Sequence, residues 1–212
     1  YGVNVFGGPW SGRSATSGYK DTADVYEDLI VCLCENLDTL MAPSGHLMFW
    51  LSGDIKIQSR TIDLFADLAP TLAFCKFPLI WHKSDNVGIV PDPKREPRRI
   101  CETALIASRE DRLLIKPVSN AIAAQTNKEN HPHTKPEPVL KHFFQMFVDS
   151  NTRLLDPTCG GGSSLRAAEA LGASYVLGLE INDDYVGNAR RALNHSRVLR
   201  KASSMQKEPK SD

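Results

Sequence analysis

The chain has 212 residues, of which 42% are hydrophobic and 24% are charged, a composition typical of a globular domain with room for a substantial core. Its 25 basic residues balance its 25 acidic residues, so net charge gives no argument for a nucleic-acid partner, and any basic surface must be local. The sequence contains no run of about 20 apolar residues, so we expect no membrane-spanning helix and no membrane partner.

Apolar spacing predicts helices that alternate with short buried strands. In chain order, the predicted elements are helix 21–40, strand 46–51, helix 60–69, strand 74–81 interrupted by Pro78, strand 103–108, helix 136–148, strand 152–155, helix 163–171, strand 175–181 and helix 183–193. Residues 82–100 and 109–130 are predicted to be polar connections, and the last 18 residues to be a flexible basic tail. The alternation predicts an α/β fold with a mostly parallel sheet flanked by helices.

The cysteines indicate a reducing environment. There are five, an odd number, and most lie in apolar runs. This favours free thiols in a cytosol over a disulfide framework. No Cys/His pair has the spacing of a zinc site, so we expect no metal.

The segment from residue 153 to residue 182 carries the clearest functional pattern. A predicted strand ends at Asp156, three consecutive glycines follow at 160–162, and a predicted helix begins at Ser163. Glycines let a ligand lie against bare backbone, and in open α/β sheets ligands bind at the carboxyl ends of the strands. Glu180, at the end of the next strand, is placed to accept hydrogen bonds from a ribose diol. The pattern predicts a site for a ribose-containing ligand.

Two other interpretations of these glycines stay open. A turn that simply requires glycine explains the three residues, but not their position between a strand, a helix and an acidic strand end. A dinucleotide-binding unit needs glycines spaced G-x-G-x-x-G, whereas the third slot here is Leu165. Asp156 would repel a pyrophosphate but suits a cationic sulfonium ligand that carries an amino group.

At this point the motifs resemble a known family. The segment Asp156-Pro-Thr-Cys-Gly-Gly-Gly-Ser-Ser164 resembles the S-adenosylmethionine loop Asp-Pro-Phe-x-Gly-Ser-Gly-Thr-Thr of amino-group DNA methyltransferases. Residues 171–185 resemble the second cofactor motif of that family. His131-Pro-His-Thr-Lys-Pro136 is similar to its His-Pro-Thr-Gln-Lys-Pro motif, with His133-Thr134 in place of Thr-Gln. The catalytic-half strands precede the cofactor loop, an order that resembles the permuted β class.

The resemblance implies a Rossmann-like methyltransferase fold. It also implies transfer of a methyl group from S-adenosylmethionine to the exocyclic amino group of adenine or cytosine in double-stranded DNA. The implied cofactor contacts are Asp156, Pro157, Thr158, Cys159, Gly160, Gly162, Ser163, Ser164, Glu180, Ile181, Asn182, His131, Lys135 and Pro136. Cys159 belongs to the cofactor loop and is not expected to be a nucleophile.

The first residue of the chain also fits the resemblance. The catalytic motif of the family is (Asp/Asn/Ser)-Pro-Pro-Tyr, and the chain opens Tyr1-Gly2. We expect Tyr1 to be the last residue of that motif, stacking on a base flipped out of the duplex, with the three preceding residues missing from this chain. We expect one methyltransferase domain over residues 1–194 and the flexible tail over residues 195–212.

A local basic cluster is the candidate for DNA contact. Lys94, Arg95, Arg98 and Arg99 lie in the predicted loop after the second strand. Such a cluster neutralises phosphates, and residues 82–136 are expected to hold the DNA-recognition loops. A solvated loop explains the same charges equally well.

Several functional alternatives stay open. The chain could instead be a catalytically incomplete methyltransferase-like subunit that binds cofactor or nucleic acid, or an RNA methyltransferase. The sequence does not choose between adenine and cytosine, and it leaves open a restriction partner and a homodimer. The expected setting is the cytoplasm of a bacterial or phage-infected cell.

Overall fold

The structure is a computed structural model that describes residues 23–51, 53–90, 92–110, 112–127 and 133–205. The chain divides into two compact units, Tyr1–Thr126 and Asn127–Asp212. The predicted site residues Tyr1 and His131 lie outside the described residues.

The first unit holds a mixed sheet. Its strands are β1 (His46–Leu51), β2 (Ala73–Phe74), β3 (Leu79–Lys83), β4 (Cys101–Ser108) and β5 (Ala121–Ala124). They are ordered β1-β4-β3-β5, with β2 also paired to β4.

The directions of these strands correct the expectation of a mostly parallel sheet. β4 runs antiparallel to β1, β2 and β3, and only β5 is parallel to its neighbour β3. The reason is the connection from β3 to β4. The described residues of that connection, 84–90 and 92–100, hold no helix that could carry the chain back across the sheet, so β4 returns beside β3 in the opposite direction.

Pro78 divides the predicted strand 74–81 as expected. β2 precedes the proline and β3 follows it, and both pair with β4. Proline has no amide hydrogen to donate to a ladder, so regular pairing stops there. The strand predicted over 175–181 is shorter in the structure, where it spans Tyr175–Gly178.

Two helices supply the core of this unit. They are α1 (Ala23–Leu40) and α2 (Ile55–Leu68). Ile30 and Phe65 are fully buried between them and the sheet, and the Tyr26 hydroxyl bonds Thr61 Oγ1 at 2.7 Å. α2 begins five residues earlier than the predicted start at 60, because the Asp54 carboxylate accepts the amide of Lys56 at 2.8 Å and caps the helix.

The second unit has a βαβ core. Its elements are α3 (Glu137–Phe144), β6 (Arg153–Asp156), α4 (Ser163–Ala170), β7 (Tyr175–Gly178) and α5 (Asp183–Met205). β6 and β7 are parallel, with Asp156 opposite Gly178. α4 packs against β6, β7, α3 and α5. The carboxyl ends of both strands therefore face the turn that starts α4.

Two sequence predictions are wrong in these regions. The short strand β5 lies within the predicted connection 109–130. It was not predicted because its sequence Ala-Ile-Ala-Ala shows neither an alternation of apolar and polar residues nor a run of large apolar residues. The tail predicted from residue 195 is helical to Met205, where α5 ends. Arg197 and Arg200 of that segment both donate to the Glu169 carboxylate of α4, which ties the helix down.

The described residues hold neither a membrane-spanning helix nor a cluster of metal-binding side chains. None of their helices is long and apolar enough to cross a membrane. They also contain no group of three or more His, Cys, Asp or Glu side chains that could hold a metal ion.

Candidate active site

The turn between β6 and α4 depends on two glycines with left-handed backbone. Gly160 has a φ of 49° and Gly162 a φ of 74°, values that residues with a Cβ rarely adopt. Gly162 is the N-cap of α4, and a Cβ there would lie 3.1 Å from the Cβ of Ala189 in α5. The turn thus places bare backbone and the amino-terminal end of α4 next to the carboxyl end of β6.

Asp156 closes one side of this turn. Its Oδ1 accepts the amide of Thr158 at 3.0 Å, and its Oδ2 accepts the hydroxyl of Ser164 in the first turn of α4. A negative charge at the N-terminus of a helix is favourable, so these bonds hold the carboxylate in a stable position. Carboxylate oxygens keep further lone pairs, which stay available to a ligand that donates hydrogen bonds.

Glu180 closes the other side. Its Oε2 accepts the amide of Gly160 at 3.0 Å, and its Oε1 accepts the amide of Asn182 at 2.9 Å. The Asn182 side chain in turn accepts the amides of Asp184 at 2.9 Å and Tyr185 at 3.3 Å, and so caps α5. The Glu180 carboxylate is therefore oriented by backbone on both oxygens, and each oxygen keeps a second lone pair.

Backbone hydrogen bonds join the two acidic residues beyond the end of the sheet. The Leu179 amide donates to the carbonyl of Asp156 at 2.9 Å, and the Cys159 amide donates to the carbonyl of Leu179 at 2.9 Å. The end of β7 is thereby held against the loop that follows β6. One continuous backbone framework positions both carboxylates.

Gly178 lets the loop approach β7 closely. A Cβ at this position would lie 2.6 Å from Cys159 Sγ and 2.7 Å from Leu165 Cδ1. No real Cβ is found so near another heavy atom, so a larger residue here would force the loop and α4 away from the strand. This glycine was not among the predicted site residues, although a glycine inside a strand is itself a signal of close backbone approach.

Cys159 is an inert thiol in this setting. Burial raises its pKa to about 11, and the negative charges of Asp156 and Glu180 act in the same direction. The thiolate is the reactive form of cysteine, so at neutral pH this side chain is a poor nucleophile. Its place in the site is to fill space beside Gly178.

Arg166 connects the glycine turn to α3. Its Nη1 donates to the carbonyl of Gly161 at 2.8 Å, and its Nε donates to Glu137 Oε2 at 3.1 Å. Glu137 is the first residue of α3 and follows Lys135 and the buried N-cap Pro136. Arg166 and Glu137 were not among the predicted site residues, because the sequence of an amphipathic helix does not show which residue a charged side chain will pair with.

The remaining predicted cofactor residues lie in or beside this turn. Pro157 is exposed, Ser163 is buried in the first turn of α4, and Ile181 directly follows Glu180 with 92% of its surface exposed. An almost fully exposed isoleucine next to an oriented carboxylate offers an apolar surface to a ligand.

The predicted DNA-binding residues lie on a hairpin of the first unit, which we define as residues 84–100. Ile89 and Arg99 form an antiparallel bridge across it, with backbone hydrogen bonds of 3.2 and 2.8 Å. Lys94, Arg95 and Arg98 are exposed near its tip, whereas Arg99 is half-buried. Arg95 donates to Asp92 at 3.0 Å, which offsets part of the positive charge.

Comparison with known proteins agrees with this geometry. Residues 114–191 match the DNA methylase family N6_N4_Mtase. The structure is similar to the crystal structure of the M1.HpyAVI–SAM complex, with a TM-score of 0.65, 19% identity, and coverage of 83% of this chain and 85% of that one. It is also similar to PvuII DNA methyltransferase (cytosine-N4-specific), with a TM-score of 0.60, 16% identity, and coverage of 78% and 69%.

A third similar structure is the putative DNA modification methylase TTHA0409 from Thermus thermophilus, complexed with S-adenosyl-L-methionine. Its TM-score is 0.55 and its identity 18%, with coverage of 82% of this chain and 78% of that chain. A comparison with curated proteins found no match.

These findings first define a class. The structural matches confirm the α/β, Rossmann-like methyltransferase fold expected from the sequence. The match of residues 114–191 to the DNA methylase family N6_N4_Mtase then supports the predicted enzyme class, the amino-group DNA methyltransferases.

Proposed function

We propose that this enzyme binds S-adenosylmethionine in the second unit, between Asp156, the glycine turn and Glu180. The observation that carries the proposal is the orientation of the Glu180 carboxylate by the amides of Gly160 and Asn182. A carboxylate fixed in this way accepts both hydroxyls of a ribose without reorganising. M1.HpyAVI and TTHA0409, whose folds this chain shares, were both determined with S-adenosylmethionine.

The other parts of the cofactor find matching groups in the same turn. The Asp156 carboxylate lies at the other end of the glycine segment, where it attracts a ligand with a positive sulfonium and an amino group. The exposed Ile181 supplies an apolar surface for a purine ring. We assign Lys135 and Pro136, which directly precede α3, to the methionine end of the cofactor.

The chemistry that follows is attack by a base amine on the sulfonium methyl. An exocyclic amine is a weak nucleophile because its lone pair is delocalised into the ring. Positioning of the amine against the methyl group, and hydrogen-bond acceptors on the amine, supply the rate enhancement. We assign stacking on the flipped base to Tyr1, and we keep Cys159 out of the reaction because its thiol is protonated.

The hairpin 84–100 is the part of the first unit that we assign to DNA. Its exposed Lys94, Arg95 and Arg98 offer charges to phosphate groups, and phosphate contacts supply most of the affinity of such proteins. We also propose that the enzyme works in a reducing cytoplasm. All five cysteines are free thiols in the structure, which supports this setting.

Methyl transfer from radiolabelled S-adenosylmethionine tests the proposal. The chain, with Asp-Pro-Pro placed before Tyr1 to restore the expected catalytic motif, is incubated with unmethylated plasmid DNA, total RNA or a mixed protein extract, and the labelled nucleosides or amino acids are identified by mass spectrometry. We expect label in DNA only, as N6-methyladenine or N4-methylcytosine. Label in RNA or protein with none in DNA would contradict the assignment.

A further inference from the structure

A buried arginine opposes the electrostatics of its own helix. Arg166 lies in the first turn and a half of α4, where the partial positive charge of a helix N-terminus disfavours a cation. The residue is only 8% exposed, so the charge is also removed from water. Neither effect stabilises the fold, so any benefit of this side chain must come from the contacts that it makes.

The contacts of Arg166 show what it holds. One nitrogen of the guanidinium donates to the carbonyl of Gly161, in the middle of the glycine turn, at 2.8 Å. Another donates to Glu137 at 3.1 Å. Glu137 also pairs with Lys141 one turn further along α3, at 2.8 Å, so its carboxylate is held from both sides.

The two anchored segments are the two sides of the proposed cofactor site. Gly161 lies between the two glycines with positive φ, and its carbonyl direction sets the path of the turn. Glu137 immediately follows Lys135-Pro136, the pair assigned to the methionine end. A rigid guanidinium fork is suited to fixing two acceptors at a set separation, which a lysine cannot do.

We propose that Arg166 and Glu137 form a positioning pair that fixes the glycine turn against the start of α3 and so sets the affinity for S-adenosylmethionine. This inference rests on the proposed cofactor site. We assign the pair no direct contact with the cofactor or the base. It acts through the Gly161 carbonyl and through the amino-terminal end of α3.

The test uses two readouts on the full chain. Variants Arg166→Met, Glu137→Gln, the double variant and Arg166→Lys are compared with Glu169→Gln. Glu169→Gln is the matched control because it weakens an ion-paired contact of the same helix with α5, away from the turn. The first readout is calorimetric titration with S-adenosylhomocysteine. The second is amide hydrogen exchange of residues 158–164 without ligand.

We expect Arg166→Met to weaken binding about tenfold, in line with the loss of charge-assisted hydrogen bonds. Glu137→Gln should weaken it less, and the double variant should bind no worse than Arg166→Met, since the pair acts as one unit. Arg166→Lys should recover part of the affinity. Exchange of residues 158–164 should rise in Arg166→Met and stay unchanged in Glu169→Gln.

Two results would overturn the inference. One is unchanged exchange in Arg166→Met, which shows that the pair does not hold the turn. The other is an equal loss of affinity in Arg166→Met and Glu169→Gln, which indicates a general loss of stability. Absence of binding by the folded parent chain would instead overturn the proposed cofactor site, and the exchange data would still decide whether the pair positions the turn.

Discussion

The glycine turn between β6 and α4 and the basic hairpin 84–100 differ in how their polar side chains are held, and we propose a different ligand for each. In the turn, the polar side chains that face the site are already bonded to backbone, as Glu180 is to Gly160 and Asn182. In the hairpin, Lys94 and Arg98 are exposed, and the described internal ion pair is that of Arg95 with Asp92. A small ligand of defined shape needs groups fixed in advance, whereas a polyanion needs only charge at the right surface.

Because of this difference, we expect variants of each region to affect the binding of one ligand only. Damage to the turn should remove cofactor binding and leave DNA affinity measured without cofactor unchanged. Damage to the hairpin should do the reverse. Variants that fail to separate the two binding events would contradict the division of labour between the two regions.

The largest effect is expected from Gly178→Val. The new side chain collides with Cys159 and Leu165, so the turn must move away from the strand. Overpacking of this kind costs about 1–3 kcal/mol of stability. The displaced turn should weaken binding of S-adenosylhomocysteine by at least about 100-fold, measured by calorimetry.

Gly187→Ala is the control for that variant. Gly187 lies inside α5, and a Cβ there meets only the end of the Arg191 side chain, at 3.4 Å. Alanine in a helix interior is favoured over glycine by up to about 1 kcal/mol, so the melting temperature should rise and cofactor affinity should stay the same. Equal damage by both glycine variants would refute the special role of Gly178.

A smaller effect is expected when the hairpin loses its exposed charges. The triple variant Lys94→Ala, Arg95→Ala, Arg98→Ala should bind duplex DNA more weakly and with less salt dependence. Each lost phosphate contact lowers the slope of log affinity against log salt by about 0.9. The slope is measured by fluorescence anisotropy over a salt series.

The matched control removes three basic side chains elsewhere in the first unit: Lys56→Ala, Arg60→Ala, Lys76→Ala. If the slope of log affinity against log salt falls equally in both triple variants, DNA is attracted by the general charge of the protein and does not contact the hairpin. Unchanged binding in the hairpin triple shows that the hairpin is a solvated loop.

The smallest effect on function is expected from Cys159→Ser, which should keep methyl transfer close to that of the parent. The thiol affects stability at high pH instead. Its pKa rises from an ordinary value of 9.0 to about 11 in the folded chain, so the unfolded chain loses the proton first as pH rises. Folding stability is therefore expected to fall between pH 9 and 11, and less steeply in the serine variant. Urea titrations at several pH values in this range give the free energy of unfolding of both proteins. An equal fall of that free energy with pH in the parent and in Cys159→Ser would contradict the raised pKa of the thiol.

The sequence predicted the glycine turn between β6 and α4 well because its signals are local. Positive φ requires glycine at Gly160 and Gly162, and the spacing from Asp156 to Glu180 follows from one βαβ unit. It predicted the direction of β4 badly, because strand direction depends on the connection that precedes it and not on the apolar pattern of the strand. The end of α5 was missed because Arg197 and Arg200 appear as a solvated tail until their shared partner Glu169 is known.

The contact between Arg166 and Glu137 could not be predicted from the sequence either, because it also depends on a partner that only the structure shows. The two residues are separated by 29 positions, and neither belongs to a recognised motif. Contacts of this kind are set by how α3 and α4 pack, which no local pattern reports. Arg166 and Glu137 were therefore not predicted because their contact depends on tertiary structure, and no signal in the sequence was overlooked.

The most direct test of the account is calorimetric titration of the chain with S-adenosylhomocysteine, beside the double variant Asp156→Asn, Glu180→Gln and the control Glu169→Gln. Both changes in the double variant keep the shape of the side chain and remove its charge, and circular dichroism verifies that all three proteins fold. We predict binding of one ligand per chain by the parent and by Glu169→Gln, and a loss of at least about 100-fold in the double variant, as expected for two charged hydrogen-bond acceptors. Binding of the double variant with the affinity of the parent would contradict the placement of the cofactor site at residues 156–182.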